Sequence, residues 1–314
     1  MEFSRYKIIF FGSSNFSLPA LEGLFKAQWK ILAVITQPDK PKGRKLRLTP
    51  TPVKVAANKL KLPVYEFDTL KNPETAAEIK KLNADFGVVA SYGQIIPPEV
   101  LKCGRLGFLN LHPSILPKYR GPSPIQYAIL NGETVTGATV ILLDNKLDHG
   151  PIVAQKSVPI SPEEDYPSLE TRLGQEASAL LLECLPDWIM GKVTRRAQDD
   201  RMATYTKLLT KDDGRITWKK TAEEINRQIR AFSPWPGTWT TLNAQRIKIL
   251  QAKVIQTLKP LPPSAISCAQ NTLIVGCGNK TFLEIIKIQA EGKQPISTAS
   301  FLRGHKNLEG EYFV

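Results

Sequence analysis

The first two apolar runs most narrow what this chain can fold into. Tyr6-Lys-Ile-Ile-Phe-Phe11 is a nearly continuous apolar strand that stops at Gly12-Ser-Ser. A helix is expected near Pro19, with Leu18, Leu21, Leu24 and Phe25 on one side, and Ile31-Leu-Ala-Val-Ile35 reads as the next strand. Strand, helix and strand in this order make a βαβ unit, which pairs its strands in parallel. Further strands are expected over residues 64–67, 86–90, 107–112, 139–143 and 153–158, with helices over 53–60, 73–82 and from 98. No G-x-G-x-x-G follows the first strand, which argues against dinucleotide binding.

The run Gly107-Phe-Leu-Asn110-Leu-His112-Pro-Ser-Ile-Leu-Pro117 carries chemistry. Asn110 and His112 are two apart, so on an extended chain they face the same way, and Pro113 and Pro117 then end the ladder. Thr139-Val-Ile-Leu-Leu143 runs into a loop that supplies a carboxylate, Asp148, in the sequence Leu147-Asp-His-Gly-Pro151. An amide donor, an imidazole and a carboxylate can stabilise an oxyanion and manage protons in acyl transfer. A histidine after a strand can equally be a hydrogen-bonded structural residue. The chain has three histidines, His112, His149 and His305, so few rivals compete for the role.

The net charge is +13, from 42 Lys+Arg against 29 Asp+Glu, which fits a polyanionic partner or, more plainly, solubility. One concentration of charge is Pro38-Asp-Lys-Pro-Lys-Gly-Arg-Lys-Leu-Arg-Leu-Thr-Pro-Thr-Pro52, where four prolines and a glycine argue against any regular element. A long basic loop suits contacts with phosphates or base edges, or it is simply solvated. Residues 208–314 hold another excess, 15 Lys+Arg against 8 Asp+Glu. There, after a helix at 223–232 and a Pro234-Trp-Pro-Gly237 turn, short runs at 238–241, 247–250, 272–275 and 282–286 predict a small β-barrel. The fold class is therefore α/β with a mostly parallel sheet in a first domain at 1–203 and a β domain at 204–314, the boundary falling at 204–212. Cys103, Cys184, Cys268 and Cys277 form no Cys-x-x-Cys pair and read as buried free thiols, with no metal site and no disulfide framework. Neither a signal peptide nor an apolar run of membrane-spanning length is present, so a cytoplasmic protein is expected, and nothing in the sequence suggests more than a monomer.

Asn110-Leu-His112-Pro-Ser-Ile-Leu-Pro-Lys-Tyr-Arg120-Gly with Leu147-Asp148-His149-Gly-Pro151 resembles the signature of the folate-dependent formyltransferases. The likeness continues through Phe11-Gly-Ser-Ser-Asn-Phe16, Thr36-Gln-Pro-Asp39, Pro122-Ser-Pro-Ile-Gln126, Asp213-Gly-Arg-Ile216, Ala231-Phe-Ser-Pro-Trp-Pro-Gly237 and Phe301-Leu-Arg-Gly-His305. These cover nearly the whole chain, and they match the branch of the family that formylates methionyl-tRNA. The resemblance implies a Rossmann-like catalytic domain and an OB-like tRNA-binding barrel. It implies formyl transfer from 10-formyltetrahydrofolate to the α-amine of methionine on initiator tRNA, without a metal. Asn110, His112 and Asp148 would be catalytic. Gln94, Ile95, Ile96, Pro113, Ser114, Ile115, Leu116, Pro117, Leu143 and Asp144 would line the folate site. Lys40, Lys42, Gly43, Arg44, Lys45 and Arg47 would bind tRNA, with the strand-to-helix turn after Phe11 beside the acceptor.

Three departures from the family pattern stand out. Lys45 replaces a usual glycine in the basic loop, and Pro122-Ser123 replaces two alanines at the start of a helix expected from Arg120. His149 replaces the usual threonine, where a second imidazole could compete for Asp148. Two rival readings are a sugar-nucleotide or other small-amine formyltransferase, against which the basic loop and barrel argue, and a noncatalytic RNA-binding protein, against which the complete Asn110, His112 and Asp148 set argues.

Overall fold

The computed structural model describes residues 5–42, 47–256, 260–269, 271–305 and 307–314. The chain divides into two compact units. The first comprises Met1–Pro124, Val135–Pro159 and Leu169–Lys207, and the second Ile125–Thr134, Ile160–Ser168 and Leu208–Val314.

In chain order the elements up to residue 189 are β1 (Lys7–Gly12), α1 (Leu18–Lys26), β2 (Lys30–Thr36), β3 (Lys40–Lys42), β4 (Arg47–Thr49), α2 (Pro52–Lys59), β5 (Val64–Glu66), α3 (Pro73–Lys81), β6 (Phe86–Ala90), α4 (Pro98–Leu101), β7 (Phe108–His112), α5 (Pro124–Leu130), β8 (Val135–Leu142), β9 (Ile152–Pro159) and α6 (Tyr166–Ile189). Seven strands form one sheet in the order β5-β2-β1-β6-β7-β8-β9. The first five are mutually parallel, as the βαβ pattern requires, while β8 and β9 are antiparallel to their neighbours. Ile8, Ile9, Phe10 and Phe11 are wholly buried, which explains why β1 reads as a continuous apolar run: the strand has no solvent face.

The carboxyl ends of β1, β6 and β7 thus lie along one edge, where open α/β sheets bind ligands. The same order puts the carboxyl end of β8 elsewhere. Leu142 pairs with Leu109 and Thr139 with His112, so β8 finishes beside the start of β7.

Two expectations need correction here. Phe25 is exposed, because Ala20, Leu21 and Leu24 supply the buried face of α1 and Phe25 lies about 100° further round the helix. The basic stretch also contains regular structure. β3 and β4 pair antiparallel, with Lys40 opposite Thr49, Pro41 opposite Leu48 and Lys42 opposite Arg47. A two-stranded ribbon tolerates Pro41 because each of its strands has a free edge on which no N–H is needed.

The second unit contains α7 (Ala222–Ala231), β10 (Thr238–Leu242), β11 (Gln245–Ile255), β12 (Ile266–Ala269), β13 (Thr272–Gly276), β14 (Phe282–Ala290), β15 (Ile296–Ser297) and α8 (Thr298–Gly304). Its strands make an antiparallel sheet in the order β10-β11-β14-β13-β12, with β15 on β14. The last residues join the two outer strands: Thr241 and Val314 exchange both N–H···O bonds at 2.9 Å, and Ile266 N–H donates to the Glu311 carbonyl at 2.8 Å. Phe313 is thereby buried and stacks on Trp218 with centroids 5.4 Å apart. Inside, Ile225 and Ile229 of α7 join Ile247, Ile249, Leu273, Val275, Leu283, Ile285 and Ile288 in one apolar core. A capping box starts α7: Glu224 N–H donates to Thr221 Oγ1 at 3.2 Å, and Thr221 N–H donates back to Glu224 Oε2 at 2.8 Å.

The four cysteines are free, but only Cys277 is fully buried, where burial pushes its thiol up to about 12. Among the described residues no cluster of His, Cys, Asp or Glu could hold a metal, and no helix is long and apolar enough to cross a membrane.

Candidate active site

β7 is buried along its whole length, and Asn110 and His112 are 8% and 4% exposed. A buried amide and imidazole each need partners. His112 has one in the Tyr119 carbonyl, 2.9 Å from Nε2. A carbonyl oxygen can only accept, so Nε2 carries the hydrogen and the other nitrogen, Nδ1, is left for chemistry. Tyr119 can turn its carbonyl inward because it adopts a left-handed backbone, φ 62°, and its N–H is fastened to Thr204 Oγ1 at 2.8 Å. Asn110 lies two residues before His112 on the same buried strand, so its amide faces the same way.

Asp148 completes the group. Its Oδ2 lies 3.7 Å from His112 Nδ1, just beyond a hydrogen bond, and accepts the Gly121 N–H at 2.8 Å. Because β8 ends beside Leu109, the loop after it must travel back towards His112 to reach this position. Three features hold that loop. Asp148 takes a left-handed conformation, φ 46°, which aspartate tolerates better than most residues. Gly150 passes so close to the Leu142 carbonyl that a Cβ would overlap it. Gln198 Nε2 donates to the carbonyls of both Asp148 and Gly150, at 2.8 Å each.

Gln198 is held in turn by Arg120. Arg120 is 1% exposed, and its Nε and Nη2 donate to Gln198 Oε1 at 3.1 and 2.9 Å. Nη2 also reaches Asp200 Oδ1 at 2.8 Å, and Nη1 reaches the Tyr205 hydroxyl at 3.2 Å. Arg120 holds the Asp200 carboxyl below its ordinary range. The guanidinium itself is raised: burial opposes this, but its hydrogen bonds to Asp200 and Tyr205 together outweigh it. A relay of Arg120, Gln198 and the 148–150 backbone thus sets where the Asp148 carboxylate sits. Sequence reasoning missed Gln198 and Arg120 as parts of it. Arg120 precedes α5, which starts at Pro124 rather than at the expected Arg120; Pro122 therefore lies ahead of the helix.

His149 does not compete for Asp148. Its Nδ1 is 2.6 Å from Asp144 Oδ2, and its Nε2 is 3.5 Å from Asp200 Oδ2.

Residues 6–185 match the formyl transferase family model and residues 208–306 the formyl transferase C-terminal domain model. The chain belongs to the formyl transferase family. A methionyl-tRNA formyltransferase of Chloroflexus aggregans is 43% identical over 95% of this chain and 97% of its own length. One from Geobacter metallireducens is 39% identical, covering 95% of each. Among solved structures, an N-formyltransferase from Helicobacter canadensis in complex with folinic acid and dTDP-3-aminofucose superposes with a TM-score of 0.66 at 20% identity, covering 91% of this chain and 99% of that one.

Within this formyl transferase the residues expected to line a folate site are only partly brought together. Leu116 and Leu143 share an apolar cluster with Ile141 and Ile152, and Leu143 also packs against the cluster holding Ile96, Tyr92 and Phe108. Leu143 is therefore the side chain that touches both clusters. Burial there pushes the Tyr92 phenol up to about 12. Ile95 points away and is 77% exposed. The Gln94 side chain is spent on its own scaffold: its Nε2 donates to the Phe67 and Asp68 carbonyls, and its Oε1 accepts the Leu70 N–H. Ser114 is buried and donates to the Lys118 carbonyl at 2.7 Å, while Pro113, Ile115 and Pro117 are half-buried. Asp144 is engaged by His149 and by the Lys146 N–H. Of the expected tRNA-binding residues, Lys40 and Arg47 are exposed on β3 and β4, Lys42 ends β3, and Gly43, Arg44 and Lys45 lie outside the described residues.

Proposed function

We propose that this chain transfers the formyl group of 10-formyltetrahydrofolate to the α-amine of methionine on initiator methionyl-tRNA, giving N-formylmethionyl-tRNA. In this reading residues 1–203 are the catalytic domain and 204–314 an OB-like tRNA-binding domain. The observation that carries the reading is the trio of Asn110, His112 and Asp148, with His112 Nδ1 left as the working nitrogen beside the carboxylate. The names of relatives matched over nearly their full length support the acceptor, and the folinic acid of the Helicobacter structure supports a folate donor.

The chemistry follows from those groups. The neutral amine attacks the formyl carbon, a C–N bond forms, and the formyl oxygen becomes an oxyanion. Asn110 Nδ2 and the Nδ1 edge of protonated His112 donate to that oxygen. Collapse breaks the bond to N10 of the folate, so one proton leaves the amine and one is delivered to N10, with no net change in charge. Tyr119 orients the imidazole through Nε2, which frees Asp148 to support the positive charge at Nδ1 and to pass the proton through water. The basic ribbon and the C-terminal charge excess suit a tRNA backbone, and binding should weaken with salt.

The test is formylation of charged initiator tRNA with 10-formyltetrahydrofolate, with charged elongator methionine tRNA as control and Arg44→Ala alongside. Transfer to the initiator alone, impaired by Arg44→Ala, is the expected result. Equal transfer to both tRNAs would leave the chemistry and remove the recognition argument. No transfer to either would shift the reading to a small amine acceptor or to a noncatalytic protein.

A further inference from the structure

The basic ribbon is fastened at its root by a set of contacts that the proposed reaction has not used. Lys54, in the first turn of α2, places Nζ 2.8 Å from Asp39 Oδ1 and 2.8 Å from Glu66 Oε2. Asp39 immediately precedes β3, and Glu66 is the last residue of β5. The other stem is tied at Thr51. Its Oγ1 caps α2 by accepting the Lys54 N–H at 3.0 Å and lies 2.6 Å from Thr36 Oγ1 at the end of β2. Gln37 N–H donates to Ser13 Oγ at 3.2 Å, and Lys40 Nζ donates to Gln37 Oε1 at 3.1 Å. Both stems are therefore pinned to the carboxyl ends of β1, β2 and β5, the edge that also carries the turn after β1.

The three charged side chains are 22% to 31% exposed, so their attraction is screened less than that of open surface pairs. Among the described residues, little else holds the ribbon. Lys40, Pro41, Arg47 and Leu48 are exposed, Leu48 by 69%. A two-stranded hairpin is marginal alone, so its direction is set at the root. Lys54 does two things there. It couples the ribbon to β5 through two carboxylates, and it offsets charges that would otherwise repel a phosphate chain beside Lys40 and Arg47.

We infer that Lys54 is a positioning residue for nucleic-acid recognition, aiming the basic ribbon at the phosphodiester backbone of the acceptor by joining Asp39 to Glu66. The inference rests on the tRNA reading above, and it gives Lys54 no contact with substrate.

The experiment compares wild type, Lys54→Met, Lys54→Arg, Asp39→Asn and the Lys54→Met/Asp39→Asn pair. It reads kcat and KM for charged initiator tRNA, the Kd of uncharged initiator tRNA by fluorescence anisotropy, and the thermal midpoint. Lys54→Met should raise KM and Kd on the order of tenfold, as a lost interaction of ~1.4 kcal/mol does. It should leave kcat at saturating tRNA within about twofold, since uniform binding moves KM alone. Lys54→Arg should recover most of the affinity, and the paired variant should lose less than the product of the single losses. Lys54→Met with unchanged KM and Kd overturns the inference, as does loss of kcat and thermal midpoint with KM unmoved, which would mark a purely local support. If wild type binds tRNA without transferring formyl, the proposed function fails and the Kd series decides the role of Lys54. If wild type does not bind tRNA, both fail.

Discussion

His112 and His149 both border Asp148 in the chain or in space, yet their surroundings are opposite. His112 is buried, with Nε2 on a main-chain carbonyl and Nδ1 towards one carboxylate. His149 is 29% exposed at its side chain and sits between two carboxylates, Asp144 and Asp200. The left-handed backbone at Asp148 turns these consecutive side chains apart, so the residue adjacent in sequence is not the partner in space. One imidazole has a single nitrogen left for a reaction; the other has both nitrogens facing acidic groups. That contrast assigns the proposed catalytic role to His112, and it can be attacked from either side.

The largest effect should come from the His112 side. His112→Ala and Asn110→Ala each remove a donor from the proposed oxyanion site, and each should lower kcat by roughly 10²- to 10³-fold in the formylation assay. Circular dichroism would check that the buried strand still forms. Near-normal turnover in either variant would break the assignment.

Asp148→Asn is a sharper test, because it separates charge from shape. Asparagine tolerates the left-handed backbone, and its amide oxygen can still accept the Gly121 N–H. What it lacks is negative charge beside Nδ1. Turnover should fall on the order of a hundredfold, within the usual range for a proton-handling group, with thermal stability nearly unchanged. Stability that falls as far as activity would make Asp148 a structural residue.

Arg120→Lys should act one step further back. Lysine cannot reproduce the fork that holds Gln198, Asp200 and Tyr205 together, so about 2 kcal/mol of stability should be lost in denaturant titration. Because Gln198 carries the 148–150 backbone, turnover should fall by roughly tenfold as well. Gln198→Ala should lower turnover similarly with a smaller stability loss, which distinguishes placement of Asp148 from general weakening.

These tests also mark how far the sequence could be read. The period-two placement of Asn110 and His112, followed by proline, put both residues on one buried strand, and the βαβ order predicted the parallel pair of β1 and β2. Strand direction was not legible at β8, because a buried apolar run looks the same parallel or antiparallel; its direction decides the path of the Asp148 loop. The hold of Arg120 on Gln198 spans 78 residues, and local pattern carries no trace of it. The ribbon of β3 and β4 was hidden by its prolines, which interrupt propensity without blocking a two-stranded ladder. Ile95 was expected in the folate site through the family resemblance alone, and its side chain is 77% exposed. Neighbours in an extended loop point in opposite directions, and only Ile96 faces inward.

The smallest effect should come from the other imidazole, and it carries the comparison to its end. His149→Thr installs the residue usual in the family. It removes contacts at 2.6 Å to Asp144 and 3.5 Å to Asp200, yet touches neither the Asp148 carboxylate nor its Gly121 donor. The pair is partly exposed, so stability should drop by only about 0.5–1 kcal/mol. Turnover should stay within about threefold, because Gln198 still holds the Asp148 and Gly150 carbonyls. The decisive readout is the pH–rate profile of wild type against His149→Thr. Superimposable profiles would place the working proton on His112 alone. A profile displaced by the substitution would show that the Asp144–His149–Asp200 contacts feel the reaction, and that the two imidazoles form one charged system rather than two separate environments.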